Sequence, residues 1–217
     1  MKLRTAESGN FFCCSLFYKT LLNKRIYDKI IFSKNKGEIF MKIKIENLYR
    51  IQDKDAKLAG VATIVLNDSI KINTIKIVRF KGNLYVVMPS VKVKEEYRDV
   101  IYPTTTELRN QITDAVLNAY KYDIFENGTM EEFHVSDVKI FKVNHEKCKA
   151  ILNITLNDNI VIARSYFVDN GTNPDGSLNL GLVFQSNKDA VPFVSILTDN
   201  LKGEVLKSTL KAYQTII

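Results

Sequence analysis

The alternation of apolar and polar positions in the middle of the chain predicts a β-hairpin. Residues 61–66 and 70–78 are rich in valine and isoleucine, which favour extended backbone. Asn67 and Asp68 lie between these two runs, and their side chains tolerate the positive φ angles of a tight two-residue turn. We therefore predict two antiparallel strands that are joined at this turn.

Two further strands are predicted on either side of the hairpin. Residues 43–51 carry apolar side chains in a strand-like alternation whose phase breaks near Asn47 and Leu48. Residues 84–88 alternate in the same way, and Pro89 ends the strand because it has no N–H to donate. The pattern predicts an antiparallel sheet of at least four strands, followed by a polar loop.

A segment with helical periodicity follows that loop. Thr104 and Glu107 have the spacing of a capping box, which marks the beginning of a helix. Apolar residues then recur on one stripe, as expected for a helix that packs on a sheet. The stripe consists of Leu108, Ile112, Ala115, Val116, Ala119 and Tyr120. We predict that this helix covers one face of the sheet.

Several short motifs within residues 41–123 occur in a characteristic order and spacing. They are Met41–Ile45, Leu66–Asp68, Ile72–Val78, Met88–Ser90, Arg98–Pro103 and Asp114–Tyr120. In this arrangement the chain resembles the stage V sporulation protein G (SpoVG) family of bacterial septation and sporulation regulators. The resemblance implies a small α+β domain that dimerises through its sheet, is not an enzyme and regulates by binding nucleic acid.

The sequence departs from the family pattern at two places. Family members often carry basic residues just after the helix, whereas residues 122–126 are acidic and apolar here. Tyr102 also stands where the family usually has a histidine before the proline. The first departure argues against a nucleic-acid contact directly after the helix.

The apolar pattern of residues 41–123 restarts after residue 132. Core positions recur at offsets between 90 and 96 residues. Examples are the pairs Ile45 and Val135, Leu66 and Leu156, Leu84 and Leu180, and Leu108 and Leu201. Surface cations are not repeated, since Lys76 and Arg79 fall opposite Tyr166 and Asp169. The second copy is therefore expected to be structural.

This repeat predicts an α+β fold of two tandem copies, each a small antiparallel sheet of about four to five strands with one C-terminal helix. Residues 41–123 form the SpoVG-like domain, residues 124–132 a linker, and residues 133–217 a degenerate second copy. Since the second copy can cover an exposed sheet edge of the first, we expect an intramolecular pseudo-dimer. Independent domains in a row and a homodimer of whole chains remain alternatives.

Residues 1–40 are interpreted as a leader, either disordered or lying upstream of the true start. Residues 36–38 can be encoded by a purine run that contains a ribosome-binding sequence, which makes Met41 the expected start. The apolar run at residues 11–18 is shorter than the roughly 20 residues of a membrane-spanning helix. No small-residue cleavage site follows it, and an amphipathic anchor is the alternative.

The net charge of +7 is distributed unevenly along the chain. Residues 1–40 contribute +5, residues 41–125 contribute +4 and residues 126–217 contribute −2. Because most of the excess lies in the leader, the overall charge is weak evidence for a polyanionic partner.

A set of cations in the first copy forms the candidate nucleic-acid-binding surface. The set consists of Lys76, Arg79, Lys81, Lys92, Lys94 and Arg98. Cations grouped on one face neutralise phosphates, and Tyr85 and Tyr97 offer stacking surfaces to unpaired bases. Glu95, Glu96 and Asp99 interrupt the second half of the set. A solvated loop of mixed charge is the alternative interpretation.

The sequence carries no recognisable catalytic or metal-binding motif. It lacks a Ser-His-Asp or Cys-His grouping and a Gly-rich phosphate loop. Cys13, Cys14 and Cys148 form no Cys-x-x-Cys pair, and with His134 and His145 they lack the spacing of a zinc site. We expect no enzymatic activity, no cofactor and no metal, and the cysteines indicate a reducing cytoplasm.

These observations predict a cytoplasmic regulator of sporulation or septation that binds DNA or RNA through the first copy and does not associate with membranes. The alternative is a protein-interaction module in septum control that does not contact nucleic acid directly. A salt titration of DNA and RNA binding distinguishes the two, because phosphate contacts weaken steeply with added salt.

Overall fold

The computed structural model describes residues 41–53, 55–175 and 178–216. All of these residues belong to one compact unit. The interpretation of residues 1–40 as a leader falls outside the described residues.

The first sheet is built from four consecutive antiparallel strands. They are β1 (Ile43–Arg50), β2 (Leu58–Leu66), β3 (Ile70–Phe80) and β4 (Asn83–Val87). Asn67 and Asp68 have φ angles of 47° and 51°, as the predicted two-residue turn requires. A register shift between Ile45 and Asn47 in β1 gives the break in phase that the sequence shows there.

Residues 90–103, predicted as a polar loop, contain three short strands instead. β5 (Ser90–Val93) and β6 (Glu96–Asp99) pair with each other as a separate hairpin, and β7 (Ile101–Pro103) follows. The loop prediction was wrong. β5 has a short Ser-Val-Lys-Val alternation, but β6 consists of three charged residues and an exposed tyrosine and carries no apolar alternation that would predict a strand.

Helix α1 (Thr106–Tyr122) follows the first sheet and confirms the predicted helix. Its N-cap is Thr105, whose hydroxyl accepts a hydrogen bond from the Leu108 backbone N–H at 3.3 Å. The Thr104 hydroxyl instead donates to the Asp158 carbonyl oxygen at 2.6 Å. The predicted capping box at Thr104 was therefore wrong by one residue, because a distant carbonyl group engages that side chain.

The segment predicted as a linker contributes two residues to the first sheet. β8 (Glu126–Asn127) pairs antiparallel with the beginning of β1. Gly128, with φ of 93°, follows so closely that an added Cβ would lie 2.0 Å from the Met41 carbonyl oxygen. A residue without a side chain is needed at this close approach.

The second sheet has the same order of elements as the first. Its strands are β9 (Val135–Lys142), β10 (Cys148–Leu156), β11 (Ile160–Thr172) and β12 (Leu178–Val183), followed by β13 (Val194–Ile196). Asn157 and Asp158 form the same turn, with φ of 49° and 56°. Helix α2 (Asp199–Gln214) completes this half and packs against β9.

Each half gives one short strand to the sheet of the other. β7 of the first half pairs with residues 160–162 of β11, and β13 of the second half pairs with residues 70–72 of β3. The two exchanges are equivalent. The segments that receive the strands, residues 70–72 and 160–162, are 90 residues apart, which is the offset between the repeated apolar patterns in the sequence. Buried residues of both halves form one continuous hydrophobic core.

The structure confirms the α+β class with two sheet-plus-helix units. Both contain four main antiparallel strands and a C-terminal helix. That the two units descend from one duplicated domain remains a prediction.

Candidate nucleic-acid interface

The six predicted cations lie in two places in the first half. Lys76, Arg79 and Lys81 are on β3 and on the turn that follows it. Lys92, Lys94 and Arg98 are on the β5–β6 hairpin, which is a separate two-stranded sheet.

The first sheet has a face that points away from helix α1. Arg50 of β1 and Arg79 of β3 both reach α1, where they hydrogen-bond to Ala119 O at 2.7 Å and to the Tyr120 hydroxyl at 3.2 Å. Successive strand residues point to opposite faces, so the neighbours of these arginines point away from the helix. We call this side of the sheet the open face.

Three aromatic side chains are exposed on the open face. Tyr49 is 70% exposed, Phe80 54% and Tyr85 48%. The Phe80 and Tyr85 rings meet edge to face, with centroids 6.4 Å apart. Tyr49 pairs with Val61, which pairs with Lys76, and Lys76 in turn pairs with Val87. These residues form one row across the sheet. Large aromatic side chains normally gain stability by burial, so their exposure on one face indicates a binding surface.

Exposed lysines accompany these aromatic residues. Lys76 is flanked along β3 by the fully buried Ile75 and Ile77 and therefore points to the open face. The Lys81 Nζ lies 5.3 Å from the centroid of the Phe80 ring. Lys44 of β1 is exposed in register with Val65 on the same side of the sheet.

These lysines keep their charge available to a ligand. Across residues 41–53, 55–175 and 178–216, no carboxylate forms an ion pair with Lys44, Lys76 or Lys81. The neighbouring Lys71 differs, because it is paired with Glu46. The open face thus combines three aromatic rings with three cations that have no acidic partner among the described residues.

Arg79 differs from the lysines because its guanidinium group is engaged inside the protein. It donates to the carbonyl oxygens of Asp53 at 2.9 Å and Ala56 at 3.0 Å, and to the Tyr120 hydroxyl. These contacts tie β3 to the loop before β2 and to helix α1. The side chain also borders a depression of about 520 Å³ beside Lys81.

Two of the three cations of the hairpin are paired with acidic neighbours. Lys92 pairs with Glu95 at 3.5 Å, and Arg98 pairs with Glu96 at 2.6 Å. Lys94 lies in the hairpin turn with φ of 55°. Because each ion pair neutralises part of the local charge, this group attracts phosphate less than the open face does.

Sequence reasoning missed three members of the open face: Lys44, Tyr49 and Phe80. Tyr49 has the spacing of a core residue in a regular strand, but the bulge after Ile45 moves it to the opposite face. The break in apolar phase near residue 47 was the signal that could have identified it.

The described residues provide neither a metal-binding cluster nor a membrane-spanning helix. No group of three or more His, Cys, Asp or Glu side chains in this part of the chain is arranged to hold a metal ion. Neither α1 nor α2 has the length and apolar composition that crossing a lipid bilayer requires.

Comparison with known proteins concerns the first half of the chain. The model of the SpoVG family matches residues 40–122. A protein of Acholeplasma laidlawii named "Putative septation protein SpoVG" is 35% identical over 76 residues, which are 35% of this chain and 81% of that protein. The chain belongs to the SpoVG family.

Two other SpoVG proteins match a similar share of the chain. A relative with the same name from Finegoldia magna is 29% identical over 93 residues, or 42% of this chain and 86% of the relative. Another from Agathobacter rectalis is 32% identical over 73 residues, or 33% of this chain and 84% of the relative. No solved structure matches the chain.

The SpoVG match includes the open face and the β5–β6 hairpin but ends with helix α1. The family comparison therefore does not bear out the predicted duplication, although the second half has the same order of strands and helix.

Proposed function

We propose that this protein is a cytoplasmic, non-enzymatic regulator of septation that binds single-stranded DNA or RNA on the open face. The names of its relatives support the connection with septation. The arrangement of aromatic and cationic side chains on the first sheet supports nucleic acid as the ligand.

The observation that carries the proposal is the exposure of Tyr49, Phe80 and Tyr85 beside lysines without acidic partners among the described residues. Unpaired bases stack on such rings, and each stack contributes about 1–3 kcal/mol to binding. Lysines on the same face neutralise the phosphates of the strand. A nucleic-acid strand presents both bases and phosphates, so both kinds of contact contribute to its binding.

The exposed aromatic rings favour a single strand over a duplex. The bases of a duplex are already stacked on one another and are not available to aromatic rings on the surface of a sheet. By analogy, RNA recognition motifs bind single strands on the open face of a four-stranded sheet through aromatic residues. The first sheet has four main strands with the short strands β8 and β13 added at its edges, and its helix lies on the side opposite the open face.

Binding is tested by fluorescence anisotropy of labelled 15-nucleotide DNA and RNA strands over a range of salt concentrations. Replacing Tyr85 by alanine is expected to weaken binding about 5- to 150-fold, which corresponds to one lost stack of about 1–3 kcal/mol. Replacing Lys76 and Lys81 together by glutamine is expected to reduce the slope of log K against log salt by about 1.4.

Lys121 supplies the matched control, because it is an exposed lysine in the last turn of α1. Like each of the substitutions at Lys76 and Lys81, Lys121→Gln removes one positive charge. It should nevertheless leave the slope of log K against log salt nearly unchanged. Equal effects of Lys121 and Lys76 substitutions would remove the open face from the site. If neither strand binds at low salt, the exposed aromatic residues favour the alternative role as a protein-interaction surface.

A further inference from the structure

A second candidate site lies in a groove of about 790 Å³ between elements of the two halves. One side is formed by β6, β7 and the beginning of α1, and the other by strands β9, β10 and β11 of the second sheet. It is separate from the open face, since Tyr49, Lys76 and Tyr85 do not line it.

Three arginines from three different elements line the groove. Arg98 comes from β6, Arg109 from α1 and Arg164 from β11. Arg98 is paired with Glu96. No side chain among the described residues forms an ion pair with Arg109 or Arg164, so their guanidinium groups remain available to an anion.

The backbone around Arg164 is held in place by side-chain hydrogen bonds. Its N–H donates to the Asn153 Oδ1 at 3.1 Å, and its carbonyl accepts from the Gln185 Nε2 at 3.1 Å. Arg164 has φ of 59° at a bulge where β11 carries an extra residue opposite β10. The corresponding bulge in β3 has Thr74, so the arginine distinguishes the second sheet.

Arg109 is anchored near the beginning of α1, where its backbone N–H donates to the Thr105 carbonyl. Asp99 opposes the positive charge of Arg109, since it also lines the groove and acts electrostatically on that side chain.

Two exposed aromatic side chains stand on opposite sides of the groove. Tyr97, which is 74% exposed, belongs to the first half, and Phe141, which is 53% exposed, belongs to the second. An aromatic ring of a ligand gains contact area from either side chain. The groove thus brings together an anion-binding part and an aromatic part.

We propose that this groove binds a nucleotide, with its phosphates on Arg109 and Arg164 and its base against Tyr97 or Phe141. Guanidinium groups bind phosphate through paired hydrogen bonds, and two of them offset most of the negative charge of a diphosphate. This site goes beyond the proposed function, because it needs the second half and lies outside the open face.

Isothermal titration calorimetry of the full chain with ADP, pyrophosphate and unlabelled (dT)15 tests the proposal. The double variant Arg109→Gln with Arg164→Gln is expected to lose at least tenfold in affinity for ADP, because both phosphate contacts are removed. Asp99→Asn is expected to tighten ADP binding, because it removes the opposing negative charge. Circular dichroism and the melting temperature establish that the variants fold.

The Tyr85→Ala variant is the control that separates the two sites. It should leave ADP binding unchanged even when it weakens binding of (dT)15. The double arginine variant should weaken ADP binding and leave (dT)15 binding unchanged. Loss of (dT)15 binding without loss of ADP binding in the arginine variant would contradict a site for a free nucleotide. Absence of ADP binding, or equal affinity for ADP and pyrophosphate, would also overturn the proposal.

Discussion

The side chain of Arg79 shows that charge alone does not identify a binding residue. Sequence reasoning grouped it with Lys76 and Lys81, since all three are cationic and close in the chain. The structure separates them by the partners of each group: the Arg79 guanidinium has three internal acceptors, whereas both lysines point to solvent without an acidic partner among the described residues. We infer that Arg79 contributes to stability and the lysines to binding.

Replacing Arg79 by lysine tests this division. An ammonium group cannot reproduce three hydrogen bonds in the planar geometry of a guanidinium, so we expect the free energy of unfolding to fall by about 1–3 kcal/mol. Urea denaturation measures this change. Lys81→Gln is the matched control and should change stability by less than about 0.5 kcal/mol. A stable Arg79→Lys variant with weakened nucleic-acid binding would place Arg79 in the interface instead.

The Asp99 carboxyl provides a prediction about pH. Burial raises its pKa above the ordinary value of 3.8, while the positive charge of Arg109 acts in the opposite direction. The folded state therefore holds this proton more tightly than the unfolded state does. Its contribution to stability is present below pH 3.8 and is lost as the pH rises through the raised pKa.

Asp99→Asn removes this titration. The variant should gain stability relative to the unmodified protein as the pH rises from below 3.8 to 7. Urea denaturation at several pH values measures the difference, which isolates Asp99 from the other carboxyl groups. If the stability of the variant relative to the unmodified protein stays constant or falls as the pH rises, burial does not raise the pKa of the Asp99 carboxyl.

At the scale of elements, local sequence signals located the main strands and both helices. The Asn67-Asp68 turn and the apolar stripe of α1 appear where they were predicted, because turn backbone and helical period depend on neighbours in the chain. The β5–β6 hairpin was missed, because the alternation in β5 covers only four residues and β6 has no apolar alternation. The position of the α1 cap was also missed, since Thr104 bonds to residue 158 of the other half.

The two helix caps allow a matched test. Thr105 accepts a hydrogen bond from the Leu108 N–H, whereas Thr198, the N-cap of α2, makes no side-chain cap hydrogen bond. Thr105→Ala is therefore expected to lower the free energy of unfolding by about 1 kcal/mol. Thr198→Ala should cost less, as measured by thermal or urea denaturation. Equal costs would show that the Thr105 hydrogen bond adds little.

At the scale of the whole molecule, the exchange of β7 and β13 joins the two halves through backbone pairing and a shared core. Each strand completes the sheet of the opposite half, and residues from both halves share one core. We propose that this arrangement replaces the pairing of two chains, so that the protein is an intramolecular pseudo-dimer. A full chain that sediments as an obligate dimer at low micromolar concentration would contradict this proposal.

Cooperativity between the halves is tested by Leu152→Ala in β10. Leu152 is fully buried, and removing its side chain should cost about 2–5 kcal/mol. Because the strands are exchanged, we expect hydrogen exchange to accelerate in peptides from β3 as well as from β11. Acceleration confined to residues 133–216 would indicate two independently unfolding domains.

The sequence by itself determined the class of fold, the positions of the main strands and helices and the likeness to the SpoVG family. These features depend on periodicity and on short motifs, which act over a few residues. Tertiary structure alone decided that β7 and β13 cross between halves, that Arg79 is bound internally and that Arg109 and Arg164 share a groove. Those outcomes depend on contacts between residues far apart in the chain, which local patterns do not specify.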